Sequence, residues 1–185
     1  MATGAKKRGY ETLRDMLLSL GVIVAGVLIF VALQPKNDHN PVPAVDYRAQ
    51  VELLRRSAAT AVVVPEPLPA GWDVNYTRIG SAGATELHMG LVRDRKRFAQ
   101  LDETNRPTPS FFTDAKLPAL AAGSANAGGV TYEVRRGDGH VALVRQVAGG
   151  GVVTLSDGGG DNGATYDELV ALAASLRDLP PLGRA

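Results

Sequence analysis

The densest group of residues able to do chemistry is Gly158-Gly159-Gly160-Asp161-Asn162-Gly163, a literal G-x-G-x-x-G between an expected strand and an expected helix. In a dinucleotide-binding unit such glycines let bare backbone amides and a helix N-terminus cradle a pyrophosphate. Here Asp157 and Asp161 oppose that anion, and no strand follows to complete a βαβ unit, so the run reads as a flexible loop. The same Asp157, Asp161 and Asn162 offer oxygen ligands to Ca²⁺, but an EF-hand loop needs acids at alternate positions and a Glu at the twelfth. The histidines His39, His88 and His140 are scattered over a linker and two strands, with no H-E-x-x-H spacing. A zinc site needs three or four convergent ligands. Glu86 and His88 share the polar side of their strand, which predicts a solvated or edge histidine. No G-x-S-x-G surrounds Ser110, Ser124 or Ser156, and the absence of cysteine removes thiol catalysis and thiolate metal sites. The sequence thus assigns no catalytic residue, no cofactor and no metal ligand, and the expectation is a protein that is not an enzyme.

Two further groups suggest binding rather than reaction. Trp72, Tyr76, Phe98, Phe111, Phe112 and Tyr132 could line a ligand pocket between sheet and helices, although core packing is the better reading of them. Arg93, Arg95, Lys96 and Arg97 are the densest cationic patch, suited to lipid headgroups or an acidic partner, and also to a solvated turn around Asp94.

The elements that would position these residues follow from periodicity. Asp46 opens a helix with Val51, Leu54 and Ala58 on one face and Arg48, Arg55 and Arg56 outside. Val62–Val64 reads as a short strand, stopped by Pro65, Pro67 and Pro69. GWDVNYTRI alternates with Trp72, Val74 and Tyr76 on one face, and TELHMGLVR groups Leu87, Met89 and Leu91 before a hairpin into FAQLD. Residues 106–122 read as a loop with a short helix near Phe111, and residues 121–129 as a Gly/Ala/Ser/Asn stretch. The strands VTYEVRR, HVALVRQ and VVTLSD follow, joined at Gly137-Asp138-Gly139 and Gly149-Gly150-Gly151. A last helix starts at Thr165, where Glu168 has capping-box spacing; Leu169, Leu172, Ala173 and Leu176 form its stripe, and Pro180-Pro181 ends it. This order predicts an α+β fold, an antiparallel sheet packed with helices, and by analogy a small α/β/α sandwich of the PsbP/Mog1 type.

Met16–Leu33 is an uncharged run, about 27 Å long as a helix, close to the ~30 Å hydrocarbon core of a bilayer. Lys6, Lys7, Arg8 and Arg14 precede it, whereas only Lys36 follows closely, so the N-terminus is expected in the cytoplasm. A cleaved signal peptide fits less well, because the run is long and the nearest small-x-small triplet is Val42-Pro43-Ala44. The expected organisation is a cytoplasmic segment 1–15, a transmembrane helix 16–33, a Pro-rich linker 34–45 and an extracytoplasmic domain 46–185. Gly21 and Ala25 make a small-xxx-small pair that would let two such helices pack closely. From Gln34 onward 16 Lys+Arg stand against 17 Asp+Glu, a net of −1, and this balance gives no basic face for nucleic acid.

The charged start running into RDMLLSLGVIVAGVLIF, the linker ending Val45-Asp46-Tyr47, the phrase VPEPLPAGW, the strand ELHMGLV and the closing DELVALAASL carry a resemblance. The chain resembles an actinobacterial family of single-pass membrane proteins catalogued as domain of unknown function 4245. The resemblance covers nearly the whole chain and implies topology and lineage; the excess of Arg over Lys, 15 to 5, fits a high-GC genome. It carries over no activity and no site residue. The expected function is a membrane-anchored interaction or accessory module of the cell envelope, in contact with the bilayer through residues 16–33 and with an envelope protein or a second copy as partner. The alternative is a tethered small-ligand or lipid-binding domain with an apolar pocket.

Overall fold

A computed structural model describes residues 8–33, 45–80 and 85–183. The chain divides into two units, Met1–Asn40 and Pro41–Ala185. The described residues of the first form the helix α1 (Arg8–Leu33), 26 residues or about 39 Å. Its side chains are described without a break over 15–30, and every one of them is exposed. Among the described residues no helix is long and apolar enough to cross a membrane. Lys6, Lys7, Lys36, His39, linker residues 34–44 and the side chains of Arg8 and Arg14 lie outside the described residues.

The second unit runs α2 (Arg48–Ser57), β1 (Val62–Pro65), β2 (Trp72–Gly80), β3 (Glu86–Arg93), β4 (Arg97–Thr104) and α3 (Pro109–Asp114). It continues with β5 (Leu120–Ala127), β6 (Val130–Gly137), β7 (His140–Val147), β8 (Gly151–Ser156), α4 (Tyr166–Ala174) and β9 (Leu176–Leu179). Seven strands form one antiparallel sheet in the order β2-β3-β4-β8-β7-β6-β5. Two meanders, β2–β4 and β5–β8, thus meet along β4 and β8, and the fold is α+β.

Alternation decides the layers. Leu87, Met89 and Leu91 of β3 stand in register with Glu103, Leu101 and Ala99 of β4, and Leu101 with Leu155 of β8, so these positions share one face. That face is the main core, closed by Val51 and Leu54 of α2, Leu169, Leu172 and Ala173 of α4, and the valines of β1. β1 pairs with β9 as a separate two-stranded ribbon. The opposite face is covered in part by α3, whose Phe111 packs on Val144 and Val152.

Several expectations change. β2 carries a bulge between Val74 and Tyr76, so Tyr76 leaves the face of Trp72 and Val74 and lies over Gly90 on the other side; a Cβ on Gly90 would collide with its ring. Residues 120–127 form the strand β5, which its alanine-rich composition hid. The last helix ends at Ala174, and Leu176, expected in its stripe, is instead buried at the start of β9. β1 recruits that segment because a strand of buried valines needs a partner for its backbone groups. Pro65, expected to forbid a ladder, closes β1 opposite Leu176, at a strand end where a missing N–H does no harm. Arg55, expected outside, is partly buried and donates from Nε to the Pro180 carbonyl at 2.9 Å.

Candidate functional site

The second sheet face carries a built polar group. Register sets His88 of β3 beside Asp102 of β4. The His88 Nδ1 to Asp102 Oδ1 distance is 2.7 Å, and Gln100 Nε2 donates to both Asp102 oxygens at 2.9 Å. Asp102 is wholly buried, and His88 is buried too, not solvated or at an edge as expected. The reason is that β3 lies inside the sheet, with both its faces covered. In the tautomer whose Nδ1–H donates to the carboxylate, Nε2 is left to accept from a donor group. Ser156 stands opposite Gln100 on β8, two strands from His88 and two residues along from the row that holds His88, Asp102 and Thr154. Tyr76 closes the group at its edge; burial first, and then the charge of Asp102, push its phenol above the usual range.

The glycine loop forms the second place of interest, and its contacts explain it structurally. Asp157 accepts from the Val141 and Gly159 amides, each at 3.1 Å, and pairs with His140 Nδ1 at 3.2 Å. Phe98 N–H donates to the Asn162 carbonyl, Ala164 N–H to the Phe98 carbonyl, and Arg97 to the Gly163 carbonyl. The loop is thereby stitched to β4 and β7. Gly158, Gly159 and Gly160 all take positive φ, of 73°, 77° and 83°, which favours glycine. The Gly159 amide, which a phosphate would need, already serves the protein's own carboxylate. An open cleft of about 650 Å³ lies beside the loop, lined by Asp138, Asp157 and Asp161 together with Arg136, His140 and Tyr166. Arg136 stacks on the Tyr166 ring at 4.9 Å. Among the described residues no three His, Asp or Glu side chains converge as a metal site.

A third group went unread in the sequence. Glu103 lies on the core face of β4 beneath the β1–β9 ribbon, and its Oε2 accepts from the Val63 amide at 2.9 Å. Burial pushes its carboxyl up to about 8, against the Val63 hydrogen bond that lowers it. Arg145 of β7 pairs with Asp178 of β9 and lies over the Tyr132 ring at 5.8 Å. The signal was present: Glu103 continues the alternation Ala99, Leu101, Glu103 of buried positions.

The aromatic residues do not converge. Trp72 and Tyr132 belong to the main core, Phe111 and Phe112 to the cluster on the opposite face, and Tyr76 and Phe98 border the glycine loop. The cationic patch is divided as well: Arg93 bridges Glu168 at 3.2 Å and Arg97 holds the loop, which leaves Arg95 and Lys96 exposed at the turn. Ser110 bonds Thr108 at the start of α3, and Ser124 lies on β5. A family model described as a protein of unknown function (DUF4245) matches residues 8–176. No curated protein and no solved structure matches the chain.

Proposed function

We propose, from the premise that this chain belongs to the DUF4245 family, that it is a single-pass membrane protein whose Pro41–Ala185 unit is an interaction module outside the cytoplasm. The observation that carries this reading is α1. Its large apolar side chains from Met16 to Phe30 are 48–72% exposed on every side of the helix. A helix apolar all round has no polar face for water and is stable where lipid surrounds it. The apolar run Met16–Leu33 comes close in sequence to the length of a bilayer crossing, and the basic residues Lys6, Lys7, Arg8 and Arg14 would orient such a span with the N-terminus in the cytoplasm.

For the exported unit, helices on both sides of the sheet support a small α/β/α sandwich. An interaction module is favoured over a carrier because the aromatic residues that a carrier would gather around a ligand are spread over three places. Protease added to intact spheroplasts should degrade the Pro41–Ala185 unit and spare an epitope at Ala2. The reverse pattern, or loss of both, overturns the topology. Crosslinking in the native membrane followed by mass spectrometry then identifies the partner.

A further inference from the structure

We propose that the pocket over Gly90, on the sheet face that holds His88 and Asp102, binds a small primary alkylammonium ligand. The chain builds this pocket through the β2 bulge, where two residues stand opposite one. Asn75 and Tyr76 both lie over Gly90, and a Cβ on Gly90 would collide with the Tyr76 ring and the Asn75 amide oxygen. Gln100 of β4 stands across Gly90 on the other side. Phe98 and the loop at Gly159 complete a pocket of about 150 Å³. That volume takes one functional group with its adjoining carbons and is too small for a carried lipid. The inference therefore goes beyond the interaction-module reading and does not depend on it.

The polar atoms of the wall select a cation that donates hydrogen bonds. Asn75 Oδ1 is buried and has no hydrogen-bond partner among the described residues, a costly state that a donor in the pocket relieves. Gln100 gives its amide nitrogen to both Asp102 oxygens at 2.9 Å, so its side-chain oxygen is left to accept from an occupant. The Gly159 amide, a donor that an anion would need, is bound to Asp157. Among the described residues no Lys or Arg lines the pocket. The buried Asp102 carboxylate lies behind Gln100, and its field reaches the wall: after burial, it is the influence that pushes the Tyr76 phenol up. Arg78, which offsets it there, stands opposite His88 on the next row and is not part of the lining. A primary amine is charged at neutral pH, as a lysine is. Its N–H groups match the two amide oxygens, and its charge and alkyl stem suit the aromatic lining of Tyr76 and Phe98. A quaternary ammonium carries the charge but has no N–H to give Asn75.

The full chain, labelled with nitrogen-15 and held in an uncharged detergent, would be titrated with ethylammonium chloride, tetramethylammonium chloride and sodium acetate at one ionic strength. The expected result is a saturable shift of the Gly90 backbone amide and of the Asn75 and Gln100 side-chain amides in the NMR spectrum, with ethylammonium alone. Asn75→Leu removes an oxygen that bonds nothing else described, so the rest of its spectrum should stay in place. It should weaken ethylammonium by about tenfold, the effect of one hydrogen bond to a charged group. No saturable shift with ethylammonium overturns the proposal. An equal response to tetramethylammonium, a response to acetate, or an Asn75→Leu chain that binds as tightly as the parent overturns it too. Should Asn75→Leu fail to fold, the three salts on the parent chain decide by themselves.

Discussion

The Glu103 carboxyl lies where water hardly reaches it, with a fold that holds it protonated near neutral pH. Its folded value of about 8 exceeds the ordinary 4.5, so between those limits the native state binds a proton that the unfolded chain has released. Its contribution to stability is therefore fully present below pH ~4.5, declines as pH rises toward ~8, and is flat above. The slope is about 1.4 kcal/mol per pH unit at most. Glu103→Gln keeps an acceptor for the Val63 amide and has no proton to lose. Subtracting its stability-against-pH curve from that of the parent, followed in denaturant by the fluorescence of the single tryptophan, should leave this slope; coincident curves would show Glu103 to be solvated. Trp72 makes a second test at this scale. Its side chain is buried in the main core, and truncation to alanine removes a large packed surface, worth roughly 3–5 kcal/mol. We expect Trp72→Ala to lose cooperative unfolding or to drop its midpoint sharply by circular dichroism.

At the scale of elements, local chemistry sets where α4 begins. The Thr165 side chain accepts from the Glu168 amide at 3.3 Å, and the Glu168 carboxylate accepts from the Thr165 amide at 2.8 Å. That second bond is the main reason the Glu168 carboxyl lies below its usual range. Thr165→Ala should cost about 1 kcal/mol and Thr165→Ser almost nothing, read as denaturation midpoints. The glycine loop before the helix makes the opposite kind of prediction. Because its Asp157 and Gly159 bond each other, millimolar ATP or NAD should leave the melting temperature of the detergent-solubilised chain unchanged. A ligand at 100 times its Kd would add about 2.7 kcal/mol, a shift that is easily seen. Such a shift, lost in Gly160→Ala, would return the loop to the nucleotide-binding class.

For the whole molecule, the organisation proposed above predicts that detergent alone extracts the full chain from membranes, while high salt and alkaline washes leave it there. Release by salt would replace a spanning helix with surface adsorption. Much of the architecture was legible because it depends on neighbours in sequence. The capping box at Thr165, the hairpin between Leu91 and Ala99, the buried stripe of α2 and the alternating strands β3, β6 and β7 are each written within a dozen residues. The apolar run of α1 is written the same way. Tertiary structure decided what depends on distant partners. A valine strand at 62–65 drew Leu176–Leu179 out of a helix, because unpaired backbone groups in a core cost more than four residues of helix repay. One bulged residue turned Tyr76 across the sheet, since strand alternation has a period of two. The pairs His88–Asp102, His140–Asp157 and Arg145–Asp178 join residues 14 to 33 positions apart, and only strand register, a property of the assembled sheet, sets them side by side.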